Sequence, residues 1–257
     1  MVAAWFPERH FLLVVDSLYS GQSVLRTLPS NFDLIGPVHA KAALYAPAPK
    51  ETTVRRGPRR KKGDRLKSIE AWSKDSSRWR THDFDQYGLH GSLQTKTRTG
   101  LYYKAGKDRL LRLVLSRDTV GDRPTRIFYC TNVELRPREI LSLFSHRWSI
   151  EVSHFDCKQH LGLEDAANRK EQAVQRTAPM AMFLYSLTIV WYATEGHADF
   201  RIPHRPWYWW KREPSFADML TTLRRKSWDD QLSSVSLDAT QRDNKLALLT
   251  YLATLAG

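Results

Sequence analysis

The chain has 257 residues, 42% of them hydrophobic and 11% aromatic, which is enough to close a core and excludes a wholly disordered protein. A formal net charge of +13 and a pI of about 9.9 favour a polyanionic partner, nucleic acid being the commonest. Only two cysteines occur, Cys130 and Cys157, with no CxxC and no Cys/His ligand spacing, which argues against a disulfide framework or a zinc site and suits a reducing cytosol.

The first ten residues lack the basic-then-apolar order of a signal peptide. Phe11 to Val15 (FLLVV) is a continuous apolar run ending at Asp16, the pattern of a buried, parallel strand. Ser20 or Ser23 caps a short helix through Leu28, and Phe32 to Val38 is a second strand, interrupted by Gly36 and Pro37. Strand, helix, strand in so short a stretch is α/β grammar.

From Ala46 to Gly63 the chain is rich in Pro, Gly and basic residues and reads as a flexible loop. Charge concentrates here: Val54 to Lys67 carries eight Lys/Arg against one Asp, a net +7, which leaves +6 for the rest. Arg55, Arg56, Arg59, Arg60, Lys61 and Lys62 either track the phosphates of DNA or belong to a solvated loop. A short helix is expected over Leu66 to Trp72. A small antiparallel sheet follows, with strands at Ser92–Arg98, Gly100–Lys104, Leu110–Ser116 and Arg126–Thr131 separated by Gly- and Asp-rich turns.

The remainder reads as helical. Arg138 to Gly162 has helical periodicity, with Ile140, Leu143, Phe144, Trp148, Val152 and Phe155 as expected core contacts and Gly162 as the C-cap. Lys170 to Glu195 is a long apolar helix with a kink expected at Pro179. Its apolar stretch, Ala178 to Ala193, is short for a bilayer span and reads as a buried core helix, so no membrane partner is expected. Pro214 to Asp218 resembles a capping box opening a helix through Arg225, and Lys245 to Leu255 is a final amphipathic helix.

Two carboxylates stand out by position. Asp16 ends the first predicted strand, and in open α/β sheets ligands bind at that end; alternatively it only opens the turn Asp-Ser-Leu-Tyr-Ser-Gly. Glu151 falls mid-helix on a stripe with Phe144, Arg147 and Lys158, because steps of three, four and seven return to one helical face. The bland alternative for it is an exposed ion pair.

The pattern aromatic-x2-Arg-x3-Glu-x6-Lys is similar to the YREK signature of a large group of bacterial insertion-sequence transposases. Phe144 stands where that group usually has Tyr. FLLVVDSLYSG and FDLIGPVHAKAALY resemble the strands around the group's second Asp, and the segment from Pro206 to Leu220 resembles its C-terminal part. The likeness spans roughly 8–45 and 126–228 and is loose over 46–100.

The resemblance implies an α/β chain: a partial RNase H-like core of strand-helix-strand plus a Glu-bearing helix, an inserted β-rich subdomain and a helical C-terminal region. The corresponding division is 1–45, 46–131, 132–195 and 196–257. It implies metal-dependent DNA cleavage and strand transfer, with Asp16 and Glu151 as catalytic residues binding Mg2+ or Mn2+. Arg147 and Lys158 would hold phosphates or orient Glu151; Trp148 or His154 would touch DNA near the cut. Trp207 to Trp210 either stacks on bases or plugs the core. Transposon ends and target DNA are the implied partners, a homodimer is the family's habit, and the location is the bacterial cytoplasm, on the nucleoid when DNA-bound. A DDE triad has a further Asp on an earlier strand, yet no Asp precedes Asp16. The expectation is therefore a truncated enzyme, or a non-catalytic, DNA-binding or interfering remnant.

Overall fold

The computed structural model describes residues 1–49, 59–86, 89–119, 124–165, 169–200, 211, 213–233, 241, 243–245 and 247–248. Residues 201–210 and most of 245–255 lie outside them, and with them Trp207 to Trp210 and the expected last helix. The chain forms two compact units, Met1–Trp148 and Ser149–Gly257.

The first unit is built on a six-stranded sheet in the order β1-β2-β6-β5-β4-β3. Its strands are β1 (Phe11–Val14), β2 (Phe32–Pro37), β3 (Arg80–Gln86), β4 (Leu89–Gly100), β5 (Leu111–Asp118) and β6 (Arg126–Cys130). The apolar run at β1 pairs parallel with β2, from Phe11 against Phe32 to Val14 against Ile35. That parallel pair requires a crossover, and α2 (Gln22–Thr27) supplies it. All other pairings are antiparallel. The later strands do not stand as a sheet of their own: Ile35 to Pro37 of β2 pair with Cys130 to Phe128 of β6, so they extend the β1–β2 pair.

Strand alternation sorts the core into two faces. Leu34, Leu111, Leu113, Leu115 and Tyr129 point to one side, where Leu25 of α2 and Trp72 of α3 (Ile69–Lys74) cover them. Ile35, Val114, Phe128 and Cys130 point to the other, under Ile140 and Leu141 of α5 (Pro137–Ser145). Each such side chain, fully buried, contributes about 1.5–3 kcal/mol. Two short helices, α1 (Val2–Trp5) and α4 (Tyr103–Gly106), complete the unit.

Several expectations change. β3 carries no strand pattern in its sequence, because RTHDFDQ is almost wholly polar. Gly100 ends β4, and Tyr103 onward is helical where a strand to Lys104 was expected. The α2 N-cap is Gly21, with no side-chain cap from Ser20 or Ser23. The single helix expected over Arg138–Gly162 is two, α5 and α6 (Trp148–Leu161). At the break, His146 N–H donates to the Leu143 carbonyl and Arg147 N–H to that of Phe144, both i to i+3, which tightens the chain out of the α-helical path.

The second unit contains α6 from Ser149 onward, α7 (Glu171–Thr194), a 3-10 turn (Gly196–Asp199) and α8 (Phe216–Ser233). Gly162 does close α6: its φ is +67°, and Leu163 N–H reaches back to the Cys157 carbonyl. α7 runs through Pro179. Its buried residues, Ala181, Thr188 and Tyr192, follow steps of seven and four along one stripe. Phe183, Leu187 and Val190 are exposed, so the helix expected to be buried in the core is covered on one face only. α8 opens as expected, Asp218 accepting from the Ser215 backbone N–H at 2.8 Å and hydroxyl at 2.7 Å, but it continues to Ser233. Lys211 pairs with the same carboxylate. Both cysteines are free thiols and fully buried, Cys130 in the first unit and Cys157 in the second.

Candidate active site

Asp16 sits just past the carboxyl end of β1, the end where the α/β rule puts ligands. The ladder continues one residue beyond the strand, Val15 N–H donating to the Ile35 carbonyl at 2.9 Å, and the chain then turns. Asp16 Oδ1 accepts from the backbone N–H of Leu18 at 2.9 Å and of Tyr19 at 3.2 Å. This is the turn-opening role of an Asp, and it engages one oxygen; Oδ2 takes no part in the turn. The two roles weighed for Asp16 in the sequence are thus compatible.

Three further residues fix this turn. Tyr129 on β6 is fully buried, and its hydroxyl donates to the Ser20 carbonyl at 2.9 Å. Burial pushes its phenol well above the ordinary range, with Tyr102 and Cys130 adding to the effect, so it remains a donor. Ser20, buried, donates to the Ser17 carbonyl at 3.1 Å and closes the turn on itself. Gly36 on β2 lets the turn lie against the sheet. A Cβ there would come within 2.9 Å of Ser20 Cβ and 3.0 Å of Val15 Cγ2. In the sequence Gly36 shows as an interruption in an apolar run and Ser20 only as a helix-cap candidate.

The stripe around Glu151 is divided by the break between the helices. Phe144 ends in α5, where it packs on Phe128 at 4.5 Å between ring centroids; Arg147 lies in the break, its guanidinium 6.0 Å from the Phe144 ring. Glu151 is in the first turn of α6, half-buried, with Oε2 shielded from solvent. An acid there is favoured by the partial positive charge of a helix N-terminus. Lys158, one stripe further on, forms an ion pair with Glu164 at 2.5 Å. The apolar residues beside Glu151 are not core: Trp148 is 54% exposed and Phe155 60%, and Val152 is also exposed. Helical periodicity predicts Trp148, Val152 and Phe155 as core contacts, yet of α6 only Cys157 is buried.

The family model for the transposase DDE domain matches residues 2–187, a span that holds Asp16, Glu151, Arg147 and Lys158. The chain belongs to this family. It is a DDE transposase of insertion-sequence type, and membership brings DNA as its partner. No curated protein matches it.

The sequence-derived site residues of this DDE transposase are shared between the two units. Asp16 and Arg147 belong to the first unit, Glu151 and Lys158 to the second. Arg59, Arg60, Lys61 and Lys62 line a hollow of about 550 Å3 in the first unit, while Arg55 and Arg56 lie outside the described residues. For a divalent ion the donor chemistry fits, since carboxylate oxygens suit Mg2+ and Mn2+. Among the described residues, however, no three His, Cys, Asp or Glu side chains gather into a metal-holding group. No helix among them is long and apolar enough to cross a membrane.

Proposed function

We propose that this transposase cleaves DNA and transfers strands with the help of divalent metal, and that Asp16 and Glu151 are two of the carboxylates that hold it. The observation that carries the proposal is the Asp16 turn. It lies at the ligand-binding end of a parallel strand, is tied by Tyr129, Ser20 and Gly36, and engages only Oδ1. Bound Mg2+ or Mn2+ would stabilise the attacking and leaving oxygens of a phosphoryl transfer. This chain's part is to orient the carboxylates and neutralise phosphate charge. Arg147 offers a fork of donors to a phosphate, and Lys158 offers a point charge once it exchanges Glu164 for the DNA.

A second reading is a DNA-binding remnant that competes with an intact transposase. What favours it is the basic run from Arg59 to Lys62, which serves DNA binding without any metal ligand. A nicking assay on end-bearing plasmid with Mg2+ or Mn2+ separates the two. The enzyme reading expects cutting that Asp16→Asn and Glu151→Gln each reduce by about a thousandfold or more, the scale of losing several kcal/mol of transition-state stabilisation. Binding with no cutting at any metal concentration would leave the remnant.

A further inference from the structure

The basic segment raises a question that charge alone does not answer: whether it is a solvated run or a shaped surface. Residues 63–66 are hydrogen-bonded into the fold. Gly63 N–H donates to the Ala46 carbonyl, Ala46 N–H to Asp64, and Leu66 N–H to Leu44, all within 2.8–2.9 Å. Tyr45 bridges Arg65 on one side and Leu101, just beyond β4, on the other. The loop expected from composition is therefore tied at this end to the sheet.

Lys62 is placed by two rings. Its ammonium lies 3.9 Å from the centroid of Tyr45 and 4.8 Å from that of Tyr103, and the rings meet edge to face at 6.4 Å. Cations bind aromatic faces at such distances. Gly63 next to it admits no side chain, since a Cβ would stand 2.5 Å from the Pro47 carbonyl oxygen. Beside these anchors lies a shallow, open hollow of about 550 Å3. Arg59, Arg60, Lys61 and Arg65 line it beside Lys62, against the single acid Asp64.

We propose that this hollow is a preformed site for the phosphodiester backbone of DNA, with Lys62 and Gly63 shaping it and Arg59, Arg60 and Lys61 contacting phosphate. The proposal rests on the reading of the protein as a DNA-acting transposase, but it concerns binding only. It assigns Lys62 to positioning, in contrast to the uniform row of phosphate contacts expected from sequence. Basic residues held in place by ring and backbone contacts lose less conformational entropy on binding than a loose basic tail of equal charge.

The test is fluorescence anisotropy of a labelled duplex titrated with full-length protein in EDTA, across a series of KCl concentrations. Removing metal keeps the result independent of cleavage, so a failure here and a failure of Asp16 and Glu151 in the nicking assay are told apart. The combined variant Arg59→Ala/Arg60→Ala/Lys61→Ala is expected to lower the slope of log K against log[KCl] by about 2–3, at about 0.9 per phosphate released. An unchanged slope overturns the site. Two variants that keep the charge test its shape. Gly63→Val is expected to weaken binding by about tenfold, and Tyr103→Leu by about threefold, the value of one exposed cation–aromatic contact. If both bind like the parent while the charge variant fails, the residues act as an unshaped run and the proposal falls. Should Gly63→Val prove unfolded by circular dichroism, Tyr103→Leu decides alone.

Discussion

Asp16 and Glu151 are supported in opposite ways. The Asp16 turn rests on a strand whose neighbours are buried, and a phenol more than a hundred residues away in sequence holds its backbone. Glu151 rides on a helix that buries one cysteine and exposes Trp148, Ile150 and Phe155. A carboxylate of the first kind is fixed by long-range packing, so remote substitutions should move it. One of the second kind depends on its own helix and on whatever that helix packs against. The contrast shows that two acids in one proposed role need not draw on the same source of order.

The largest expected effect probes the helical unit. Asp218 is buried, and its carboxylate binds Lys211 and both donors of Ser215. Asp218→Asn should cost about 3 kcal/mol by leaving the partly buried Lys211 without its counter-charge, read as a lowered midpoint in urea denaturation. Burial alone would raise the Asp218 pKa, but the Lys211 and Ser215 bonds outweigh it and hold it below the ordinary value. The stabilisation is then complete above about pH 4, where an unfolded Asp is ionised, and is lost as the pH falls below it. A midpoint falling equally with pH in Asp218→Asn would contradict this.

Next comes the Asp16 scaffold. Gly36→Ala should cost about 2 kcal/mol, as an overpacked site does, because the new methyl meets Ser20 and Val15. Thermal denaturation checks it; a rise in melting temperature would show that the turn can give way. Tyr129→Phe removes one hydrogen bond and should cost about 1 kcal/mol. If the scaffold positions Asp16, nicking should fall further than stability does, measured on the fully folded variant.

The smallest effect belongs to the Glu151 helix. Glu164→Ala breaks the Lys158 ion pair, which is exposed and worth less than about 0.5 kcal/mol in stability. It should strengthen DNA binding at low salt by freeing Lys158. Weaker binding would remove Lys158 from the proposed DNA contacts.

How far these features were legible in the sequence follows from their range. β1 could be read because five consecutive apolar residues suit few other states, and Asp16 because it ends them. The Gly162 cap and the start of α8 could be read because capping is settled within a few residues. β3 could not: its residues are polar, and its place comes from pairing with β4. The break at His146 and Arg147 carries neither Pro nor Gly, so periodicity ran straight through it. The apolar residues flanking Glu151 looked like core because periodicity reports a face without saying whether anything covers it. Tyr129 and the corner formed by Tyr45 and Tyr103 were invisible for a simpler reason: each joins positions that only the folded sheet brings together.

The two buried thiols give this molecule an internal pair of clocks. Burial pushes the Cys130 thiol up to about 12 and raises that of Cys157 as well, so neither is a nucleophile in the native state. Each becomes available to an alkylating reagent only when its own unit opens. Because one lies in the sheet unit and the other in the helical unit, pulse alkylation followed by peptide mass mapping would time the two openings separately in a single, unmutated sample.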